Sequence, residues 1–102
     1  MGRAGGEALV DVLHLIITGR VQGVGFRYAM AARARARGVG GWVRNRGDGS
    51  VEAMVAGSTE QVEEMLAWSR QGPPGAWVEK VVVEPGYGEY SNFESRPTVG
   101  GF

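Results

Sequence analysis

Apolar positions along this chain fall into short strand-like runs and two stretches of helical spacing, with glycine or proline at most of the changes. Val12 to Thr18 is dense in aliphatic and β-branched residues and stops at Gly19, which predicts a strand. Leu13, Leu15 and Ile17 share one parity and Val12, His14 and Ile16 the other, so both faces are largely apolar and a central position is expected. Phe26 to Arg37 predicts a helix with Phe26, Ala29, Met30, Ala32 and Ala36 turned inward. Arg33, Arg35 and Arg37 would form its solvated face, and Gly38 its C-terminal stop. Trp42 to Arg46 and Val51 to Ala56 predict a hairpin turning at Gly47-Asp48-Gly49, with Val51, Ala53 and Val55 on one face. Ser58 opens a second helix with Gln61 placed to complete a capping box. Val62, Met65, Leu66 and Ser69 form its inner stripe, flanked by Trp68, and Gly72, Pro73 and Pro74 end it.

Trp77 to Glu84 predicts a fourth strand. Val78 is out of parity with Val81 and Val83, so a bulge is expected near Glu79 and Lys80. A short last strand is expected around Asn92 to Arg96, and a loose glycine-rich tail from Pro97 to Phe102. The order strand, helix, strand, strand, helix, strand is the split βαβ arrangement. It predicts an α+β, ferredoxin-like sandwich (βαββαβ), an antiparallel sheet with two helices on one face. The expected organisation is an N-terminal extension over 1–10, one domain over 11–96, and a tail over 97–102.

With 102 residues, 43% apolar and 22% charged, the chain suits a single globular domain. Lys+Arg and Asp+Glu both number 11, so no global field favours nucleic acid or an anionic membrane. Lys80 is the only lysine; arginine carries the rest of the positive charge. Without cysteine there is no disulfide, thiol nucleophile or zinc–thiolate site. The N-terminal residues lack an apolar signal core, and the run Val12 to Ile17 is too short to span a bilayer, so a cytoplasmic protein is expected.

The candidate chemistry lies at the junction between the first strand and the first helix, Gly19-Arg20-Val21-Gln22-Gly23-Val24-Gly25-Phe26-Arg27. Glycines there let backbone amides turn inward around an anion, and the helix start adds unsatisfied donors and the positive end of its dipole. Arg27 brings a permanently charged fork to the mouth of that cradle. Downstream, Gly41-Trp42-Val43-Arg44-Asn45 supplies a neutral amide at Asn45 that can orient a water. The pattern reads as a phosphate site with a water-positioning group, and no metal ligand set accompanies it. The glycine spacing is neither a dinucleotide fingerprint nor a Walker loop.

These two segments resemble the signature pair of the acylphosphatase family. The resemblance runs from Leu13 to about Phe93, with Gly49-Ser50-Val51-Glu52-Ala53 and Met65-Leu66-Ala67-Trp68 in the expected order. It implies hydrolysis of small-molecule acyl phosphates to a carboxylate and inorganic phosphate, with no cofactor, no metal and no covalent intermediate. Arg27 would be the phosphate-binding arginine and Asn45 the residue that positions water. The loop Arg20, Val21, Gln22, Gly23, Val24, Gly25 and Phe26 would close around the phosphate oxygens. A monomer is expected, without nucleic-acid or membrane partners. The N-terminal extension, the tail and Arg37 depart from a minimal member of the family.

Plainer readings stand beside these. Asn45 is also a suitable residue just before a turn, and His14, mid-strand, is expected to be structural. Arg20 is expected to shape the loop or its field, and Arg44 and Arg46 to be solvated neighbours. Trp42, Trp68 and Trp77 are expected as packing anchors. The alternative function is a noncatalytic ferredoxin-like module that binds a phosphate ligand or RNA. RNA recognition would require aromatic residues exposed on the sheet strands.

Overall fold

The computed structural model describes residues 10–99. Residues 1–9 of the expected N-terminal extension, and 100–102 of the expected tail, lie outside the described residues. The elements are β1 (Asp11–Arg20), α1 (Phe26–Arg37), β2 (Gly40–Arg46), β3 (Val51–Gly57), α2 (Thr59–Ser69), β4 (Trp77–Pro85) and β5 (Phe93–Val99). They form one sheet in the order β4-β1-β3-β2-β5, with both helices packed on it. β1 lies inside the sheet, as its two apolar faces predict.

Three of the four pairings are antiparallel, but β2 and β5 run parallel, so the sheet is mixed rather than purely antiparallel. The reason is the crossing between β4 and β5. These strands occupy opposite edges, and residues 86–92 must span about 19 Å at the usual strand spacing, a reach that leaves them little slack. The Gly86 amide donates to Val12 O (2.8 Å), and the Gly41 amide donates to Asn92 O (2.9 Å). The chain thus crosses the end of the sheet where β1 begins, then returns along β2 toward the end where β1 finishes. β5 continues through Pro97 to Val99, three residues beyond the expected strand.

The core lies between the helices and one sheet face. Leu15, Ile17, Val43, Val51, Ala53, Val55 and Phe93 pack against Phe26, Met30, Val62 and Met65. The α1 boundaries match the sequence reading, but its inner stripe is Phe26, Met30, Ala31 and Ala34. Ala32 and Ala36 are exposed and Ala29 half-buried. Alanine on every side leaves little periodic contrast, and Phe26 and Met30 choose the buried face. In α2 the Ser58–Gln61 capping box is present in both directions.

The expected bulge is present. Thr18 pairs with Lys80 and Gly19 with Val78, leaving Glu79 extra. A Cβ on Gly19, at φ +125°, would meet the Trp77 carbonyl, so glycine lets the bulged edge approach. The same bulge reverses parity and turns Trp77 outward, 70% exposed rather than anchored in the core.

On the sheet face away from the helices, Trp42 is buried beneath the guanidinium groups of Arg44 and Arg96, 4.6 and 5.0 Å from its ring centre. Arg44 Nε donates to Glu52 Oε1 (2.8 Å), and His14 Nε2 donates to Glu52 Oε2 (2.7 Å). Arg44 is therefore a tied, half-buried group rather than a solvated neighbour. His14 has the structural place its mid-strand position predicts.

Candidate active site

The β1–α1 connection is built by its glycines and held by one glutamine. Gly23 (φ +78°) and Gly25 (φ +79°) adopt the left-handed conformation, which turns the chain into α1 within a few residues. Val21 is buried and Val24 packs against the core, so apolar residues fix the loop from below. Gln22 Nε2 donates to both Arg46 O (2.8 Å) and Ser50 O (2.9 Å). This clamp ties the loop to the β2–β3 hairpin, the element that carries Asn45.

The helix start is electrostatically bare. Gly25 offers no side-chain cap, the first turn holds no acidic residue, and the Ala29 amide bonds Gly25 O at 3.0 Å. The amides preceding it in the first turn lie beyond any intrahelical acceptor. They leave a concentration of positive potential beside Arg27. Arg27 Nη1 donates to Arg96 O on β5 (3.1 Å), which fixes the fork while other donors remain for a ligand.

A hollow of about 310 Å³ brings these groups together. Val21, Gly23, Gly25, Arg27, Arg35 and Asn45 are among its walls, with Ser95 on the β5 side. No carboxylate lines it. A larger hollow of about 760 Å³ lies alongside, where Arg20 meets Trp77, Asp48 and Glu79. Its mixed charges favour an anion less than the smaller hollow does. Among the expected loop residues, Arg20 therefore lies in the neighbouring hollow. Gln22 is spent on the hairpin clamp and Val24 on packing.

A family model for acylphosphatases matches residues 13–95. The chain belongs to the acylphosphatase family. An acylphosphatase of Thiobacillus denitrificans is 57% identical over 87 residues, covering 85% of this chain and 98% of the relative. One from Cupriavidus pinatubonensis is 49% identical over 90 residues, covering 88% of this chain and 100% of the relative. The solved structure of an acylphosphatase from Coxiella burnetii superposes with a TM-score of 0.81 at 33% identity, covering 85% of this chain and 93% of that one. This chain thus shares its ferredoxin-like α+β fold with that solved acylphosphatase.

Within this family frame, sequence reasoning missed two walls of the hollow. Arg35 is exposed, as a solvated face predicts, but it also donates from Nε to Phe93 O (3.1 Å) and borders the hollow. The signal was the spacing 27, 31, 35, which puts Arg27, Ala31 and Arg35 on one helical face. Ser95 depended on the parallel placement of β5, which no local pattern announces.

Two carboxylates near these elements are held ionised. Hydrogen bonds from the Ser50 hydroxyl and amide lower the Asp48 pKa and close the hairpin turn. Burial pushes the Glu52 carboxyl up, but the bonds from His14 and Arg44 outweigh it and hold the pKa below the ordinary value. Among the described residues, no three His, Cys, Asp or Glu side chains gather as a metal site.

Proposed function

We propose that this protein hydrolyses small-molecule acyl phosphates in the Arg27–Asn45 hollow, with Arg27 and the amides of the glycine loop holding the phosphoryl group and Asn45 aligning water. The family assignment supports acyl phosphate hydrolysis, and the shared hollow carries the assignment of roles. It combines a tethered arginine, an uncapped helix start and a neutral amide, with no carboxylate to repel the substrate.

The reaction needs little acid assistance because a carboxylate is already a good leaving group. Water oxygen attacks phosphorus as the bond from phosphorus to the acyl oxygen breaks. The carboxylate departs with that bonding pair, and the proton of the water passes to a phosphate oxygen. Arg27 and the loop amides stabilise charge on the equatorial oxygens, and Asn45 holds the nucleophile in line. No step calls for a metal. The proposal extends to a monomer in the cytoplasm, without nucleic-acid or membrane partners. No helix among the described residues is long and apolar enough to cross a membrane.

The direct test is release of benzoate from benzoyl phosphate, measured against the spontaneous rate at mild pH. Acceleration is expected, inhibited competitively by inorganic phosphate and unchanged after exhaustive chelation. Folded protein that gave no acceleration would overturn the reading. Turnover abolished by EDTA and restored by Mg²⁺ or Zn²⁺ would overturn its metal-free mechanism.

A further inference from the structure

The hollow contains a second cation that the hydrolytic step does not use. Arg27 and Arg35 lie on one face of α1, about 12 Å apart along its axis. Their guanidinium groups are tethered to β5, Arg27 to Arg96 O and Arg35 to Phe93 O, both at 3.1 Å. Two residues lie between Phe93 and Arg96, three strand steps that set the anchor points about 10 Å apart. Between them lie the small Ala31 on the helix and Ser95 on the strand; Tyr28 also borders the hollow but is largely exposed, and Phe26 is buried in the core. Arg35 also borders a second hollow containing Glu94, but that carboxylate bonds Arg96 Nε at 3.0 Å.

Resting on the hydrolase reading of this site, we propose that Arg35 is a specificity-determining residue that selects acyl phosphates whose acyl group carries a second anion. The phosphoryl group sits at Arg27, and a chain of a few carbons lies over Ala31 and Ser95. The distal carboxylate or phosphate meets Arg35. Anchoring through Nε leaves the outer Nη donors of Arg35 able to take that anion in a charge-assisted pair. Because Arg35 is exposed, the selection it supplies is modest and sensitive to salt.

The test compares succinyl phosphate with butyryl phosphate, which match in carbon count and differ in the distal charge. With the full chain, kcat/KM is expected to favour succinyl phosphate about two- to fivefold at low ionic strength, the scale of an exposed ion pair. Added salt should shrink that ratio. Arg35→Gln should bring it close to one, and Arg35→Lys should retain part of it. If the tether to Phe93 O were the only role of Arg35, both variants would alter the two substrates alike and leave the ratio in place. That outcome overturns the proposal, as does equal use of both acyl phosphates by the wild type. Failure of the folded wild type to hydrolyse either one overturns the hydrolase reading instead.

Discussion

Arg27 and Asn45 share one hollow, yet the chemistry assigns them different parts of the reaction coordinate. In the proposed mechanism Arg27 faces the anion in both ground and transition states, so Arg27→Ala should lose phosphate binding and turnover together. In the same proposal Asn45 addresses chiefly the attacking water, so Asn45→Ala should bind phosphate and lose about 10² to 10³ in kcat, as for loss of a preorganised donor. Arg27→Lys should not rescue, because the Arg96 carbonyl tether and a ligand together require a planar fork. Phosphate titration and steady-state kinetics on each folded variant decide the matter. Near-normal turnover by Asn45→Ala would remove that residue from the mechanism. At this scale the sequence was informative where chemistry and glycine coincided, as at Gly23, Gly25 and Arg27. For Arg35 composition was uninformative and only the 27, 31, 35 spacing carried a signal, because Arg33 and Arg37 are like it in type but face elsewhere: Arg33 over Trp68, Arg37 toward Glu64.

The elements differ in how much of their own structure they encode. The second helix declares its start through the Ser58–Gln61 box, in which the Gln61 amide bonds Ser58 Oγ (3.1 Å) and Gln61 Oε1 accepts from the Ser58 amide (2.9 Å). Gln61 also reaches Arg37 O (2.7 Å), linking this cap to the end of the first helix. Ser58→Ala should therefore cost about 1 kcal/mol. A lower urea midpoint at unchanged slope would show it, with benzoyl phosphate turnover unchanged; an unaltered midpoint would deny the cap its role. The bulge in β4 was equally legible, because the parity break between Val78 and Val81 is a local fact. The last strand was not. Over residues 93–98 only Phe93 is buried; Glu94, Ser95, Pro97 and Thr98 are exposed. One buried residue is too little periodicity to reveal a strand's length or the direction of its partner. Ala-rich α1 shows the complementary failure, a clear helix with an ambiguous face.

For the molecule as a whole, stability and the site are linked through the sheet's second face. Glu52 joins His14 on β1 to Arg44 on β2, one residue from Asn45. Its folded pKa lies below the ordinary value near 4.5, so the unfolded chain binds the proton first as acid is added. The stabilisation is present above the unfolded value and is lost as pH falls through the folded one. Glu52→Gln should be less stable at neutral pH by about 1–3 kcal/mol, the scale of hydrogen bonds to a charged group. It should also lose stability less steeply than the wild type below about pH 4.5. Urea midpoints across that range are the measurement, and parallel curves for the two proteins would contradict it. Neither the charge balance nor any one strand pattern announces this network. It exists because the register sets Arg44 opposite Glu52, and Glu52 beside His14's strand.

One consequence follows from the tie between Arg27 and β5, a contact between residues 69 positions apart. A ribosome makes the glycine loop, both helices and the central strands well before it makes Arg96. Through most of synthesis the arginine fork therefore has no wall to align it, and the Ser95 side of the hollow does not exist. On the proposed mechanism, a chain that stops short of Arg96 should hydrolyse acyl phosphates poorly even where the rest of it has folded.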